Sequence, residues 1–187
     1  MVGGREKDIE NHLCSLLREA RSRRSLLKAI PLNNATSHVR TLYALVGEVK
    51  YEVIQDNTDW NPHRGMLQDL MWGTTPDIVI RSDSHEASGE NRILIECKKG
   101  RPLGYGVADS QAVRYFLYLL AMTHKKPNKQ DMTRALLLAA PSSWFREERT
   151  VKAWRDFRER YGPLAVAFKI TLGEIHIERS PNPTNGG

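Results

Sequence analysis

The chain has 187 residues, of which 40% are apolar, and its 28 Lys and Arg side chains outnumber 22 Asp and Glu to give a net charge of +6. This length and apolar fraction suit one domain with a packed core, and they exclude disorder as the dominant state. No run approaches ~18 uncharged apolar residues, so the sequence predicts no helix that crosses a membrane.

The first third of the chain shows helical periodicity followed by a strand pattern. Apolar residues recur every three or four positions over 6–20, which predicts a helix, and the basic stretch 21–28 continues or follows that helix. A capping sequence precedes a second predicted helix over 38–46. Alternating residues over 49–53 predict a strand, and 57–75, which Pro and Gly interrupt, is predicted to hold one or two helical turns.

The middle of the chain gives the clearest pattern. Two β-rich apolar runs, 77–80 and 92–97, flank a polar link and predict an antiparallel hairpin. A glycine-rich connection then leads to a predicted helix over 110–123, whose apolar residues lie on nearly every side and indicate a buried element. The short apolar run 135–140, which ends at a proline, predicts a buried strand.

The C-terminal quarter is predicted to hold a charged amphipathic helix over 144–161 and a last hairpin formed by 164–170 and 174–177. Residues 180–187 are predicted to be a disordered tail. Because the chain has no internal repeat and no stretch of linker composition, residues 1–179 are predicted to form one domain.

The order of the charges says more than their sum. Residues 51–97 hold nine acidic and three basic side chains, whereas residues 98–134 hold eight basic and two acidic ones. An acidic segment that faced a nucleic acid unaided would repel phosphate, so we expect a divalent cation to compensate it. For residues 83–90 a solvated acidic segment is the simpler interpretation.

Three charged residues lie at the ends of the predicted hairpin strands. Glu96 and Lys98 project from one face, since side chains alternate along a strand, and the hairpin brings Asp77 beside Glu96. Two convergent carboxylates repel each other unless a cation intervenes, and such oxygen ligands suit Mg²⁺ or Mn²⁺. A metal there polarises a phosphodiester and activates water, while Lys98 orients that water or stabilises the developing charge. The alternative is an ordinary hairpin whose charged side chains pair at the surface.

The motif Pro76-Asp77 followed by Glu96-Cys97-Lys98 resembles the pattern of the PD-(D/E)xK nuclease superfamily. Over about 6–140, the resemblance implies an α/β fold with a restriction-endonuclease-like core, in which helices flank a mixed β-sheet. It also implies that the backbone carbonyl of Cys97 is a further metal ligand, whereas the alternation of the strand directs its thiol to the core as a small hydrophobic group.

A second motif lies on the helix that follows the hairpin. Gln111 and Tyr115 have the spacing of the QxxxY motif, which resembles that of RecB-type nucleases and of type I restriction nuclease domains. The two residues lie one turn apart on one helix face, so both can reach the same site. The resemblance implies that they support the catalytic site and contact DNA; the alternative is two ordinary helix residues with polar tips at the edge of a core.

One residue of the family pattern has no clear match. Many members carry a further Glu on the first core helix, and the helix predicted before the first strand begins with His38 instead. Glu10, one position from the apolar stripe of the first predicted helix, is our preferred substitute as a metal ligand. Glu6, Glu48 and Glu52 stay open as alternatives.

Basic residues follow the proposed catalytic strand. Lys99, Arg101 and Arg114 are predicted to contact nucleic-acid phosphates, because Lys and Arg supply most such contacts. The lysines at 125, 126 and 129 could act likewise, with a solvated loop as the equal alternative.

Cysteine usage and the N-terminal residues bear on location and partners. Residues 1–10 lack the apolar core of a secretory signal, and Cys14 and Cys97 are too few for a disulfide framework or a thiolate metal site. We therefore expect a cytoplasmic protein with no membrane partner. Cutting both strands of a duplex needs two sites, which makes a homodimer plausible, and any motor or modifying activity would need a separate subunit.

The predicted function is Mg²⁺-dependent or Mn²⁺-dependent hydrolysis of phosphodiester bonds in DNA, in restriction, defence, recombination or repair. The sequence does not exclude RNA as the substrate. The alternative from another class is a nucleic-acid-binding or assembly module that has the nuclease fold and weak or lost catalysis.

Overall fold

The computed structural model of the protein describes residues 6–30, 51–55, 75–82, 92–103, 111–124 and 134–178. The elements in these ranges are, in chain order, α1 (Glu6–Arg18), α2 (Ala20–Ala29), β1 (Tyr51–Gln55), β2 (Ile78–Ser82), β3 (Arg92–Cys97), α3 (Gln111–His124), β4 (Arg134–Pro141), α4 (Ser142–Arg146), α5 (Glu148–Ala167) and β5 (Ile170–Ile177).

The described strands form one five-stranded sheet in the order β1-β2-β3-β4-β5. The pairs β1/β2 and β2/β3 are antiparallel, whereas β3/β4 and β4/β5 are parallel. The sheet is therefore mixed, and helices cover both of its faces, which confirms the predicted α/β class. The antiparallel hairpin predicted from 77–80 and 92–97 is also present, as β2 and β3.

Side-chain alternation along the strands separates the core into two layers. One layer packs α1 and α2 on the sheet and contains Ile78, Ile93, Ile95 and Cys97, among others. The other layer packs α3 and α5 on the opposite face and contains Val79, Leu94, Leu136 and Leu138, among others.

The interior strand β4 has a sequence that is apolar without interruption after Arg134. It lies between β3 and β5 and has a layer of helices on each face, so residues 134–140 are all buried. Strands that are covered on both faces read as continuous apolar runs and not as alternating ones. The buried strand predicted over 135–140 is thus confirmed, with one more residue at each end.

The predicted helices correspond to observed ones with shifted boundaries. The segment 6–28 forms α1 and α2, which meet at Glu19, and the helix predicted over 110–123 is α3. The helix predicted over 144–161 is divided at Glu147 into α4 and α5, and α5 continues to Ala167. No helix in the described ranges is both long and apolar enough to cross a membrane.

The hairpin predicted from 164–170 and 174–177 is wrong. Residues 164–167 end α5, and Ile170–Ile177 is one uninterrupted strand that runs parallel to β4. Pro163 lacks an N–H, which inside a helix usually produces a kink or an end, yet the helix passes through it and buries Ala165 in the core. The turn comes later, at Lys169, whose φ of 55° is in the left-handed region.

Gly173 lies between the two strands predicted for that hairpin, where glycine often marks a turn, whereas here it allows a close approach inside β5. A Cβ at this position would lie 2.8 Å from Leu137 Cδ2 and 3.0 Å from Ile30 Cγ2. Both side chains are buried, so neither has free space into which it could move. The glycine is therefore required by packing between β5, β4 and the segment after α2.

Several predictions lie outside the described residues. These are the helix over 38–46, the turns within 57–74, the basic segment 125–129 and the tail over 180–187. The strand predicted over 49–53 is described from Tyr51 onward, where it forms β1.

We predict that Gly173→Ala lowers the free energy of unfolding by roughly 1–3 kcal/mol, because the added methyl group overpacks the contact with Leu137 and Ile30. Urea denaturation at fixed pH measures this. Gly162→Ala is the matched control: it lies in α5 with nothing within 4 Å of a new Cβ, and it should be neutral or up to about 1 kcal/mol stabilising. Equal stability of the two variants would contradict the packing argument.

Candidate active site

The antiparallel pairing of β2 and β3 brings two acidic residues together. Ile78 pairs with Ile95, so Asp77 and Glu96 follow at the same end of the two strands. The Cys97 N–H donates a hydrogen bond of 2.6 Å to Asp77 Oδ2, which fixes the carboxylate at the end of β3. The sequence prediction that the hairpin places Asp77 beside Glu96 agrees with this geometry.

Glu96 and Lys98 are neighbours on one face of the sheet. Lys98 Nζ donates to Glu96 Oε1 at 2.7 Å, and the two side chains are only 12% and 5% exposed. A buried charge is costly unless it is paired, so this ion pair is not the surface pairing of an ordinary hairpin. One ammonium group thus stands beside two carboxylates.

The helix α3 contributes two polar side chains to the same cluster. The Tyr115 hydroxyl is buried and donates to Glu96 Oε2 at 3.2 Å. Gln111 is half-buried one turn before Tyr115 on α3, and its side chain acts to lower the pKa of Tyr115. Burial and the negative charge of Glu96 raise the pKa of Tyr115, so its hydroxyl stays a donor at neutral pH. Both residues of the QxxxY motif therefore belong to the cluster.

Burial and like charge dominate the electrostatics of the two carboxylates. Burial raises the pKa of Asp77, and the negative charge of Glu10 adds to that rise. Burial and the charge of Asp77 raise the pKa of Glu96 to about 7. For Lys98, burial lowers the pKa, but the attraction of Glu96 outweighs it and the net direction is upward. Lys98 is thus an ammonium at neutral pH. Its single positive charge faces the two carboxylates Asp77 and Glu96.

Glu10 lies near the cluster although it belongs to α1, on the other face of the sheet. Its side chain is buried, and Lys7 Nζ pairs with Glu10 Oε1 at 2.9 Å. Its negative charge raises the pKa of both Asp77 and Cys97, which indicates proximity to both. Among the alternatives, Glu6 also raises the pKa of Asp77, whereas the side chains of residues 48 and 52 lie outside the description.

The sequence interpretation overlooked Lys7. Lys7 and Glu10 are three positions apart on α1, and side chains with this spacing meet on a helix surface. The ion pair between Lys7 and Glu10 could therefore be predicted from the sequence once Glu10 had been chosen. The hydrogen bond between the Cys97 N–H and Asp77 could not be predicted in this way, because it depends on the register of two strands.

Cys97 contributes its backbone and not its thiol. The side chain is buried in the layer beneath α1, together with Cys14. Burial raises the pKa of the Cys97 thiol, so it is neither a nucleophile nor a thiolate ligand. This position agrees with its interpretation as a small hydrophobic group.

The three basic residues predicted to contact phosphate differ in their positions. Arg101 is exposed, and its backbone carbonyl accepts a hydrogen bond of 3.0 Å from Trp144 Nε1, so α4 packs against the segment after β3. Lys99 is half-buried beside Lys98, and Arg114 is half-buried on α3 between Gln111 and Tyr115. All three therefore lie in segments that meet the carboxylate cluster.

The donor set fits a hard divalent cation held by few protein ligands. Within the described ranges, no group of three His, Cys, Asp or Glu side chains is arranged to hold a metal. Mg²⁺ is commonly bound by only one or two carboxylates together with water and substrate phosphates. Asp77 and Glu96 supply two carboxylates whose pKa values are raised by burial and by neighbouring negative charge, which a bound cation would offset.

Comparison with known proteins gives no further assignment. No protein-family model, no curated protein and no solved structure matches this chain. A proposal for its function therefore depends on the arrangement of the side chains described above.

We predict that Glu96→Gln stabilises the metal-free protein above neutral pH. The pKa of Glu96 is about 7 in the fold against an ordinary value of 4.5. The contribution of Glu96 to the free energy of unfolding is therefore complete below pH 4.5 and is lost as the pH rises through 7. At pH 8 in EDTA the variant should be more stable than the wild type by roughly 1–3 kcal/mol, and the gap should narrow towards pH 5.

Urea denaturation across this pH range measures the effect. Glu159→Gln, at an exposed position of α5, is the control and should follow the wild type at every pH. A Glu96→Gln variant that is less stable than the wild type at pH 8 would mean that the ion pair with Lys98 outweighs the cost of burying the carboxylate.

Proposed function

We propose that the protein is a metal-dependent nuclease that hydrolyses phosphodiester bonds in DNA with Mg²⁺ or Mn²⁺. The convergence of Asp77, Glu96 and Lys98 at the ends of two adjacent strands carries this proposal. These are the residue types that the PD-(D/E)xK pattern requires, and they lie at one buried cluster instead of being dispersed over a surface.

The order of the elements supports a restriction-endonuclease-like core for this domain. The strands β2 and β3 hold the three residues of the motif, and a helix and a further buried strand follow them as α3 and β4. The helix directs Tyr115 to Glu96 and places Gln111 one turn earlier on the same helix face, as expected if the two motifs form one site.

In this proposal Asp77 and Glu96 hold the divalent cation, with the Cys97 carbonyl as the further ligand implied by the family pattern. When bound, the cation supplies a Lewis acid for the phosphodiester and lowers the pKa of an attacking water. Asp77 is already fixed by the Cys97 N–H, which leaves its other oxygen, Oδ1, for this role.

Lys98 places a positive charge where negative charge develops during hydrolysis. Its side chain is 12% exposed, so it is largely shielded from bulk water yet reachable from outside. An ammonium in such a position stabilises the phosphorane oxygens or orients the water, and a charge that is already positioned does so without reorganisation.

Tyr115 and Gln111 act in this proposal as positioning residues. The Tyr115 hydroxyl holds Glu96 Oε2 while Lys98 holds Oε1, so the carboxylate plane is fixed from two sides. Gln111 lies one turn before Tyr115 on the same face of α3 and would support it from there. Lys99, Arg101 and Arg114 would then contact phosphates of the substrate around this centre.

Glu10 is the best candidate for the additional carboxylate of the family pattern. It is buried, it belongs to the first helix, and its charge acts on Asp77. Its carboxylate forms an ion pair with Lys7. Its contribution would be to strengthen the binding of the cation from the α1 side.

A second candidate function is a nucleic-acid-binding module without catalysis. The observation that favours it is that both oxygens of Glu96 already have hydrogen-bond partners within the protein. In such a module Lys98 would replace the metal as the counter-charge. The two functions differ in whether the carboxylates bind Mg²⁺.

We predict that Asp77→Asn and Lys98→Met each lower Mg²⁺-dependent cleavage by at least about a hundredfold, because each removes charge from the reacting centre. Duplex DNA, single-stranded DNA and RNA should be assayed with Mg²⁺ and with EDTA. Asn can still accept the hydrogen bond from the Cys97 N–H, so the first variant should keep the fold.

Lys152→Met, which breaks an exposed ion pair with Asp156, is the matched control and should cleave like the wild type. Circular dichroism checks that all the variants are folded. Equal cleavage by the wild type, Asp77→Asn and Lys98→Met would overturn the proposed function.

We further predict that calorimetric titration with Mg²⁺ detects binding to the wild type, none to Asp77→Asn and weaker binding to Glu10→Gln, by roughly three- to tenfold. The weaker effect of Glu10 follows from its position on the α1 side of the cluster. Glu159→Gln serves as the exposed control. A wild type that binds no Mg²⁺ but does bind nucleic acid would favour the non-catalytic module.

A further inference from the structure

The parallel strands β3, β4 and β5 connect the carboxylate cluster to His176 through one row of neighbouring residues. The Lys98 N–H donates to the Ala139 carbonyl at 2.8 Å, and Ala139 pairs with Ile175 in β5. The next residue of β5, His176, is therefore two strands away from Lys98 in the same row. Two strand spacings amount to about 10 Å.

His176 and Lys98 also share a face of the sheet. Cys97, Ala139 and Ile175 are neighbours in register and belong to the core layer under α1 and α2. Because side chains alternate along a strand, Lys98 and His176 project from the opposite face. This is the face on which Glu96 and Tyr115 meet.

A pair of stacked rings stands at this position. The imidazole of His176 lies on the ring of Phe145 with a centroid distance of 4.1 Å and an interplanar angle of 9°. The side chain of His176 is 46% exposed, so the stack is open to a further flat ring. Phe145 follows Trp144, and Trp144 Nε1 donates a hydrogen bond to the Arg101 carbonyl. The stack is therefore linked to the segment that follows β3.

Glu174 holds the imidazole of His176 in place. Glu174 Oε2 lies 3.0 Å from His176 Nε2, and its Oε1 accepts bonds from Trp154 Nε1 at 3.0 Å and Arg158 Nη1 at 2.6 Å. Burial raises the pKa of Glu174, but the bonds from His176, Trp154 and Arg158 outweigh it, and the pKa is lowered overall. The stack is therefore preorganised, which reduces the entropy lost on binding.

A cleft of about 500 Å³ adjoins the stack between α4, α5 and β5. Phe145, Trp154 and Leu172 line it together with the exposed Arg155 and Arg158 and the acidic Glu159 and Glu174. Each arginine has an acidic partner, but a guanidinium has five N–H donors and keeps several for an anion. Apolar rings beside guanidinium groups suit a ligand with a flat ring and a phosphate.

We propose that this surface, formed by Phe145, His176, Arg155, Arg158 and the cleft, binds a nucleotide unit of single-stranded nucleic acid. One unstacked base lies on the His176 imidazole, and the arginines contact its phosphate. The strand passes Arg101 on its way to Lys98. This inference depends on the proposed nuclease function only for the identity of Lys98 as the place of cleavage.

The observations favour a nucleic-acid strand over an acidic peptide. A peptide would pair with the arginines but would not require two parallel rings, one of which is held by a carboxylate. The stack also lies in the same row as the proposed reaction centre, which a substrate strand would have to reach.

The inference is tested with oligonucleotides that carry 2-aminopurine at one position, in EDTA so that nothing is cleaved. Stacking quenches this fluorophore, and DNA and RNA strands are compared. We expect quenching by the wild type, retention in His176→Phe, and in His176→Ala a loss of quenching with about tenfold weaker binding. His12→Ala, on the exposed side of α1, is the control and should match the wild type.

The outcomes separate this inference from the proposed nuclease function. Cleavage by the wild type with unchanged binding and quenching in His176→Ala would overturn the stacking site alone. Binding that depends on His176, without Mg²⁺-dependent cleavage, would support the stacking site while the nuclease proposal fails. A poly-glutamate peptide at equal concentration serves as the competitor. If it displaces the oligonucleotide from the wild type and from His176→Phe, the surface binds peptides and the inference is overturned.

Discussion

A buried carboxylate and a half-buried one at the ends of adjacent strands are the constraint on which the rest of this structure depends. Asp77 is fixed by the backbone N–H of Cys97, and Glu96 is fixed by Lys98 and Tyr115. Glu96 could not be buried without these partners, since an unpaired buried charge costs far more than one hydrogen bond returns. The pairing of β2 with β3 and the position of α3 are thus coupled to the charge of the cluster.

The apolar layers hold this cluster in place from both sides of the sheet. Cys97 packs under α1 while Glu96, one residue earlier, faces α3, so one strand end joins both layers. The stability of the core thereby maintains a charged arrangement that is unfavourable in itself, as the raised pKa values of Asp77 and Glu96 indicate. Such stored electrostatic cost is typical of binding and catalytic sites, although structural ion-pair networks also produce it.

Local patterns were enough to predict the central hairpin, the buried strand β4 and the grouping of Asp77, Glu96 and Lys98, because strand alternation and hairpin pairing act over short distances. The course of the chain after α5 was not predictable in this way. Gly173 has the sequence character of a turn, and only its contacts with Leu137 and Ile30, which are far away in sequence, keep it in a strand. The bonds of Glu174 to Trp154 and Arg158 depend on the same packing.

The continuous course of β5 has a consequence for the whole edge of the sheet. Had 164–170 and 174–177 formed a hairpin, one of its two strands would be antiparallel to β4. The position of His176 would then not be set by the parallel register of β3, β4 and β5. Because β5 is parallel to β4 over its full length, the register of β3 with β4 continues into β5, and His176 stands in the row of Lys98. A glycine that allows close packing therefore determines which side chains share the edge with the carboxylates.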